Sequence, residues 1–370
     1  MQLRIPGPTP LAQEVMEAMN RQMINHRGPE FRALITRITD RLKEFFQTKN
    51  DLLILTASGT GAMEAAVANA LSPGDKVLCV SIGEFGERFI EIATTYGANV
   101  IKLTFPQGKP ADPQAIRDSL RKDDQIKAVL VTHNETSTGV TNDLERISQA
   151  VKEYDKLLIV DGISSVGSIP LYTDKWHCDI VLSGSQKGWM APPGLAFVSI
   201  NERGWQAVKE AKMPRFYFDL TRAKRSLERG ETPFTPAVSV LYGLEAGLEK
   251  LSNEGIENVW ARHARVSKRA REGVKALGLS LLADESVASN TVTAVFPPPG
   301  VAANDLLRVL REDYQVILAG GQGSLSGKIF RIGHLGLVEE KDIDEVMSAL
   351  RGALSKLGYA LPAAAVKAKS

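Results

Sequence analysis

Between residues 50 and 200, short apolar runs alternate with stretches in which apolar residues recur at helical spacing. The alternation predicts a mainly parallel sheet with helices on both faces, because parallel strands need helical crossovers. The predicted strands are Leu52–Thr56, Lys76–Val80, Val100–Leu103, Ala128–Thr132, Leu157–Val160, Ile180–Leu182 and Leu195–Ile200. The predicted helices between them are Gly61–Leu71, Phe85–Tyr96, Pro113–Leu120 and Leu144–Tyr154.

The pattern changes after Pro236, where longer helical stretches are followed by a few short strands. Helices are predicted at Val238–Leu251, Gly255–Leu277, Asn304–Asp313 and Glu339–Leu357, and strands at Leu279–Leu282, Thr291–Phe296, Val316–Leu318 and Ile329–Ile332. We therefore expect a large α/β domain over residues 15–250. A smaller α+β domain would comprise residues 251–370 with the N-terminal residues 1–14, and the last eight residues are expected to be frayed.

The composition limits the class of protein without indicating its chemistry. The 370 residues are 44% hydrophobic and 24% charged, which is typical of a globular protein, and the net charge of +2 gives no reason to expect nucleic-acid or membrane binding. The N-terminus lacks the apolar segment of a secretory signal, and no apolar run is long enough to span a bilayer. Cys79 and Cys178 predict neither a disulfide framework nor a metal site, which favours a reducing cytoplasm.

The strongest chemical signal is an acid and a lysine that follow two successive predicted strands. Asp161 ends the strand at 157–160, and Lys187 lies just beyond the strand at 180–182. Carboxyl ends of parallel strands meet at one edge of a sheet, so these side chains should converge. A pyridoxal phosphate (PLP) enzyme needs such a pair, a lysine that holds the cofactor aldehyde as a Schiff base and an acid that keeps the ring nitrogen protonated.

Two further segments leave strands on the same edge. Ser58, Gly59 and Thr60 open a helix, and small residues at a helix start favour a phosphate group, although a plain strand-to-helix turn with Ser58 as N-cap fits them too. Phe85 follows the next strand, and its ring is expected either to stack on a pyridine ring or to belong to the core.

Three other polar residues are candidates for the same site. The Thr136 hydroxyl is expected to reach the cofactor or the substrate, with an ordinary turn as the equal alternative. Ser185, before Lys187, suits a second phosphate contact. Arg331, in a predicted strand of the smaller domain, is expected to clamp a substrate carboxylate or to form a surface ion pair.

With these residues in place, the chain resembles the class V aminotransferases of PLP fold type I, and within them the alanine–glyoxylate and serine–pyruvate aminotransferase branch. Matching segments occur in the expected order along almost the whole chain. The most specific is Ser183-Gly184-Ser185-Gln186-Lys187 with Ala191-Pro192-Pro193-Gly194; the others are Gly7–Pro10, Ser58–Thr60, Glu135–Val140, Val160–Gly162, Thr235–Ser239 and Arg331–Gly333.

The resemblance implies a role for each matching residue. Lys187 would carry PLP and Asp161 would pair with its ring nitrogen. The phosphate would be held by Ser58, Gly59, Thr60 and Gln186, and by Thr235 of the neighbouring subunit in a homodimer with a shared active site. Arg331 and Gly7 would bind the substrate. The chain departs from the family pattern at two positions, with Phe85 in place of a frequent tryptophan and Thr232 in place of a tyrosine.

The function implied by the resemblance is ping-pong transfer of an amino group from alanine or serine to glyoxylate or pyruvate. A phosphoserine aminotransferase that uses 2-oxoglutarate is the rival, because Asn25–Phe31 resembles the His-Arg segment of that branch. A cysteine desulfurase is disfavoured, since Cys79 lies within a predicted strand. A phosphate-binding protein without catalytic activity is disfavoured by the presence of both Lys187 and Asp161. Another class V PLP reaction is a further alternative function. The sequence does not specify the physiological donor and acceptor or the role of His26 and Arg27.

Overall fold

The computed structural model describes residues 1–362, and the expected frayed tail at 363–370 lies outside the described residues. The strands are β1 (Gln2–Arg4), β2 (Asp51–Ala57), β3 (Lys76–Ser81), β4 (Asn99–Thr104), β5 (Ala128–Thr132), β6 (Asn134–Glu135), β7 (Val140–Thr141), β8 (Leu157–Asp161), β9 (Ile180–Gly184), β10 (Gly194–Ile200), β11 (Ser280–Leu281), β12 (Val292–Phe296), β13 (Val316–Gly320) and β14 (Phe330–Gly333).

The helices are α1 (Gln13–Met19), α2 (Pro29–Phe46), α3 (Gly59–Ala70), α4 (Glu84–Thr95), α5 (Pro113–Lys122), α6 (Leu144–Lys152), α7 (Glu202–Glu210), α8 (Leu220–Leu227), α9 (Val238–Glu254), α10 (Ile256–Ala276), α11 (Ala303–Tyr314) and α12 (Glu340–Lys356). Two short 3₁₀ turns lie at Glu285–Val287 and Gly323–Leu325. Within residues 1–362, no helix is both long and apolar enough to cross a membrane.

The larger sheet has seven strands in the order β2-β10-β9-β8-β5-β3-β4. Strands β9, β8, β5, β3 and β4 are mutually parallel, whereas β10 runs antiparallel to both of its neighbours. The predicted mainly parallel sheet is therefore confirmed. The direction of β10 follows from its short connection to β9, because a parallel strand would require a crossover of a dozen or more residues.

Helices cover both faces of this sheet, as predicted. Alternate residues of β5 belong to two different hydrophobic clusters. Val129 and Val131 pack with residues of α2, α6 and α9 on one face. Ala128 and Leu130 pack with residues of α3 and α4 on the other face. Because the strand is buried on both sides, it reads in the sequence as a continuous apolar run rather than as an alternating one.

A second sheet of five strands has the order β1-β13-β14-β12-β11. Strand β1 comes from the N-terminus and runs parallel to β13, while the remaining pairs are antiparallel. The chain then leaves β1 and crosses to α1, which packs against α9. Residues 5–12 consequently run from the second sheet to the helices of the first, and they pass over the edge where Lys187 lies.

The sequence interpretation predicted no element before residue 50, and this part of it was incomplete. Helix α2 begins with Pro29 at its first turn, the position where a missing N–H costs nothing. Its buried residues Phe31, Leu34, Ile35, Ile38 and Leu42 recur at helical spacing. The periodic signal was therefore present in the sequence. Helices α1, α7 and α8 were also not predicted; each is nine residues or shorter.

Candidate active site

The carboxyl ends of the parallel strands bring Asp161 and Lys187 to one edge of the large sheet. Asp161 is the last residue of β8, and Lys187 follows the end of β9 by three residues. The two residues are 3% and 8% exposed. Each charge lies within electrostatic reach of the other, since the Asp161 carboxylate raises the pKa of Lys187. The predicted convergence of this acid and this amine is what the fold produces.

Burial dominates the electrostatics of Asp161. It raises the pKa of the carboxyl group to about 7, and the neighbouring Glu135 carboxylate adds to the effect. Two weaker contacts act in the opposite direction: the Ile163 N–H donates to Oδ1 at 2.9 Å, and the Thr132 hydroxyl donates to Oδ2 at 3.4 Å. An acid in this position is only half ionised near neutral pH, and a cationic ring beside it would hold it fully ionised.

Lys187 is held by residues 5–12, the N-terminal crossing segment. Its Nζ donates a hydrogen bond to the Pro6 carbonyl, and its own carbonyl accepts from the Thr9 hydroxyl at 3.1 Å. Burial lowers the pKa of the amine to about 8; Asp161 opposes this shift, and the positive charges of Arg331 and Arg88 contribute to it. About half of such an amine is unprotonated at pH 8, whereas an ordinary lysine is almost fully protonated there, so Lys187 can act as a nucleophile or as a base.

The start of α3 offers the features expected of a phosphate site. Ser58 is the N-cap residue, and its hydroxyl makes no capping hydrogen bond. The first helical bond runs from the Ala62 N–H to the Ser58 carbonyl at 3.2 Å, so the N–H groups ahead of it project from the helix end. These free donors and the positive end of the helix dipole favour an anion.

The loop before Lys187 lies directly against this helix start. A β-carbon built on Gly184 would stand 3.4 Å from the Cα of Gly59 and 3.1 Å from Oε1 of Gln186. The amide oxygen of Gln186 is buried and has no hydrogen-bond partner within residues 1–362. The Gln186 amide therefore has no partner that fixes its oxygen end, and turned over it would present its Nε2 donors beside the free N–H groups of the helix start, where a phosphate group would accept from both.

Phe85 is positioned by a buried carboxylate. The backbone N–H groups of Phe85 and Gly86 donate to Oε2 of Glu135 at 3.0 and 3.2 Å, and the Ser137 hydroxyl donates to Oε1 at 2.6 Å. Burial raises the pKa of Glu135, although these donors oppose the shift. The Phe85 ring is half-buried, and the guanidinium of Arg88 lies 4.7 Å from its centroid. The ring is therefore not a core side chain.

Arg331 lies on β14, is 5% exposed and makes three hydrogen bonds. Its Nε donates to the Gly320 carbonyl at 2.8 Å. Its Nη1 donates to the Thr136 carbonyl and to Oε1 of Gln322, both at 3.0 Å. Burial lowers the pKa of the guanidinium to about 10, which leaves it charged at neutral pH. The alternative of a surface ion pair does not hold, because Arg331 is buried and forms no ion pair among residues 1–362.

Three residues predicted to contact the cofactor have surroundings that do not by themselves indicate such a contact. The Ser185 hydroxyl donates to the Pro192 carbonyl at 2.6 Å and accepts from the Leu195 N–H at 3.2 Å, so it is engaged inside its own loop rather than offered to a phosphate. Thr136 is buried and contacts Arg331 through its carbonyl. Thr235 is exposed on the surface of the subunit. The cofactor roles of all three stay predictions.

Four contributors to the site were not assigned a role from the sequence: the Pro6 carbonyl, Arg88, Glu135 and Gln322. Glu135 had a detectable signal, since it is an acid inside the polar run His133–Thr138 directly after an apolar strand. The structure shows that this run is fully buried. The Pro6 carbonyl and Arg88 act through contacts with segments that are distant in the chain, and the contact of Gln322 with Arg331 depends on how the turn between them folds, so no local pattern reveals these three.

The residues present fit PLP. The Ser58 hydroxyl is not used for capping, and no partner fixes the amide oxygen of Gln186, so that its Nε2 donors can turn toward a phosphate. Burial lowers the pKa of the Lys187 amine to about 8 and raises the pKa of the Asp161 carboxyl to about 7. The donor set at the α3 start suits a phosphate, Lys187 suits an aldehyde, and Asp161 suits a protonated ring nitrogen.

Comparison with known proteins agrees with this geometry. Residues 3–338 match the family model for class V aminotransferases, and the chain belongs to that family. The chain is 44% identical to the small subunit of the soluble hydrogenase of a Synechococcus species over 374 residues, covering 100% of the chain and 97% of the relative. It is 37% identical to the serine–glyoxylate aminotransferase of Methylorubrum extorquens over 362 residues, covering 95% and 89%.

The fold is similar to that of solved aminotransferases. The alanine–glyoxylate aminotransferase of a Nostoc species superposes with a TM-score of 0.92 at 32% identity, and the match covers 95% of this chain and 94% of that one. The predictions of class V membership, of the fold type I architecture and of transaminase activity are confirmed by these similarities.

Proposed function

We propose that this aminotransferase uses PLP to move an amino group between alanine or serine and glyoxylate or pyruvate. The observation that carries the proposal is the position of the Lys187 amine: it is buried, has a lowered pKa, and lies within electrostatic reach of both the Asp161 carboxylate and the Arg331 guanidinium. An α-amino acid needs these elements, one cation for its carboxylate and one base for its Cα proton.

Each residue of the site has a separate role in this reaction. The start of α3 and Gln186 hold the cofactor phosphate, Phe85 stacks on the ring, and Asp161 holds a proton on the ring nitrogen. When bound, PLP supplies an electron sink for the charge left on the substrate Cα after proton removal. Lys187 removes that proton with its unprotonated amine, and its pKa of about 8 makes this form available near neutral pH. Arg331 holds the substrate carboxylate and thereby fixes the Cα–H bond toward Lys187.

The choice of small substrates is supported by the relatives named for serine–glyoxylate and alanine–glyoxylate transfer. The phosphoserine alternative receives no support from the segment that suggested it. The Nη1 of Arg27 donates to Glu231 at 3.0 Å and to the Thr232 carbonyl at 2.7 Å, so this nitrogen is already engaged. A substrate phosphate would have to compete with the Glu231 carboxylate for it.

We further propose a cytoplasmic homodimer with a shared active site. An exposed aromatic surface supports the dimer: Phe216 is 66% and Tyr217 46% exposed, and both rings pack on Phe234, next to the exposed Thr235. Apolar surface of this kind typically marks an interface. The two cysteines are free and buried, which supports a reducing compartment. We also propose the division into a domain of residues 15–250 and a domain of residues 251–370 with residues 1–14.

The visible absorption spectrum of the purified protein tests the function. A yellow protein that is bleached by L-alanine or L-serine is the expected result. Bleaching by phosphoserine alone would transfer the assignment to the rival and to Arg27. A protein that stays colourless after PLP is added would refute the role of Lys187.

A further inference from the structure

The guanidinium of Arg331 has five N–H groups, and the structure shows where three of them go. The Nε–H is bonded to the Gly320 carbonyl, and the two hydrogens of Nη1 are bonded to the Thr136 carbonyl and to Oε1 of Gln322. Within residues 1–362, Nη2 makes no hydrogen bond to the protein. A carboxylate that binds in a bidentate way needs two parallel N–H groups on neighbouring nitrogens.

Only two pairs of nitrogens meet this requirement: Nε with Nη2, and Nη1 with Nη2. The first pair is blocked by the Gly320 carbonyl, which is backbone of the adjacent strand β13 and so cannot leave without disrupting the sheet. The second pair becomes available when one partner of Nη1 withdraws. The Thr136 carbonyl is backbone in a fully buried segment, whereas Gln322 presents a rotatable side chain on a half-buried residue. Gln322 is therefore the partner that can be exchanged.

The backbone around Gln322 is anchored, so that its side chain is the part free to move. Leu325 is buried in a small apolar cluster with Ile329 and Ala294, and it fixes the turn that follows Gln322. The Gln107 amide, from the loop after β4, donates to the Ser324 hydroxyl at 2.5 Å and ties the same turn to the larger domain. The amide of Gln322 is neutral, and a neutral acceptor on a guanidinium is weaker than a carboxylate.

We infer that Gln322 occupies the place of the substrate α-carboxylate on Arg331 and is displaced when the carboxylate binds, so that it sets the affinity for donor and acceptor alike. This inference rests on the proposed function and adds to it a residue that tunes substrate affinity. Because every substrate of the ping-pong cycle carries an α-carboxylate, the competition should alter KM for the amino acid and for the 2-oxo acid by a similar factor. The turnover number kcat should stay unchanged, since Gln322 has left Arg331 before the proton is moved.

The experiment measures binding of propionate, which carries the carboxylate of alanine and no amine, to the PLP-loaded protein by calorimetry. Gln322→Leu removes the competitor, and propionate should bind about tenfold more tightly, the lower end of the range for a hydrogen bond to a charged group. Gln322→Glu replaces a weak competitor by a strong one, and propionate should bind at least about tenfold more weakly. Propionamide, which has no carboxylate, should bind equally to all three proteins.

The two variants are expected to change the affinity for propionate in opposite directions, which makes the test decisive. Weaker propionate binding by Gln322→Leu would mean that Gln322 helps to bind the carboxylate, and equal binding would mean that it does not compete; either result overturns the inference. Gln315→Leu is the matched control, because Gln315 is exposed on the same domain and its amide, among the described residues 1–362, bonds only to the carbonyls of Arg311 and Glu312. Failure of the proposed function would appear separately, as a wild-type protein that does not transaminate.

Discussion

Gly7 and Lys187 are in such close contact that a β-carbon on Gly7 would stand 2.7 Å from Cδ of the lysine and 2.9 Å from its Nζ. Gly7 also has a φ of +104°, a conformation that other residues rarely adopt. The N-terminal crossing segment therefore touches the reactive amine with bare backbone. Any side chain at position 7 must push the amine away from its position beside Asp161 and Arg331.

We expect Gly7→Ala to lower kcat by about 100-fold, because a displacement on the order of 1 Å of a reacting group costs about that much. Steady-state kinetics with L-alanine and glyoxylate measure the effect. Gly74→Ala is the control, since Gly74 has a φ of +83° but no atom within 4 Å of the added carbon. A Gly7→Ala enzyme as active as the Gly74→Ala enzyme would show that the contact does not position Lys187.

The amine of Lys187 should titrate near pH 8 in the cofactor-free protein, well below an ordinary lysine, because burial lowers its pKa by disfavouring the charged form. Carbon NMR of protein labelled at the lysine ε-carbons would detect one such signal. Lys187→Arg should remove that signal. In Asp161→Asn the midpoint should fall further, because the Asp161 carboxylate raises the pKa of Lys187. A signal that titrates only above pH 10 would contradict the electrostatic basis of the proposed mechanism.

The same two pKa shifts predict how stability depends on pH. The pKa of Asp161 is about 7 in the folded protein and near 4 in the unfolded chain. Its favourable contribution to the free energy of unfolding is therefore complete below about pH 4 and is lost as the pH rises through 7. The folded pKa of Lys187, about 8, lies below its unfolded value near 10.4, so stability is recovered between about pH 8 and 10.4. The contribution of Asp161 and Lys187 to the free energy of unfolding is therefore lowest between about pH 7 and 8.

Urea unfolding of the cofactor-free protein measures this dependence. The double variant Asp161→Asn, Lys187→Met removes both titrations, so its free energy of unfolding should exceed that of the wild type by the largest amount near pH 7.5. This difference in the free energy of unfolding should be smaller at pH 5 and at pH 10, and it should vary by on the order of a few kcal/mol over this range. A difference between the two proteins that does not vary with pH would exclude the predicted shifts.

Substitution of Arg331 should separate substrate binding from cofactor binding. Arg331→Gln removes the charge that holds the substrate carboxylate, and KM for alanine should rise by about 100-fold, the upper range for a hydrogen bond to a charged group. Arg331→Lys retains the charge but lacks the paired N–H donors of a guanidinium, so KM for alanine should rise by a smaller factor than in Arg331→Gln. The visible spectrum with PLP should be the same in both variants. A loss of PLP binding would instead assign Arg331 to the cofactor site.

The sequence predicted the sheet and its reactive edge because both follow from local patterns. Asp161 and Lys187 each stand at the end of an apolar run, and the geometry of parallel strands brings such ends together. The antiparallel direction of β10 was not predicted, because it is set by a short connection and not by the strand's own residues. Nor was the contact of Gln322 with Arg331, since Gln322 lies in a glycine-rich turn with no periodic pattern of its own.

Backbone groups explain a further part of what could not be predicted. The Pro6 carbonyl holds the Lys187 amine, and the Phe85 and Gly86 N–H groups fix the start of α4 on Glu135. Every residue carries such groups, so their use leaves no trace in residue type. They become assignable only when the fold has placed the segments side by side.

The proposed dimer can be tested through Thr235, which is exposed in the single subunit. If Thr235 contacts the cofactor phosphate of the partner subunit, Thr235→Asp should disable the partner's site by placing a negative charge against an anion. Lys187→Ala disables the site of its own subunit. A hybrid dimer of the two variants would then contain one intact site, formed by the Lys187 of one chain and the Thr235 of the other.

Neither variant alone should be active, whereas an equal mixture that has exchanged subunits should recover about a quarter of the wild-type activity, since half of the dimers are hybrids with one working site each. A mixture of Lys187→Ala with Arg331→Gln is the control, because both residues would serve the same subunit's amine and carboxylate sites. In such a hybrid the site that keeps Lys187 lacks Arg331, so the mixture should have no more activity than the Arg331→Gln chains it contains, about half that of Arg331→Gln alone at equal total protein. A Thr235→Asp mixture that stays inactive after subunit exchange would assign Thr235 to the site of its own subunit, and a Thr235→Asp protein that is active by itself would assign Thr235 to no site. In either case the shared active site would be wrong.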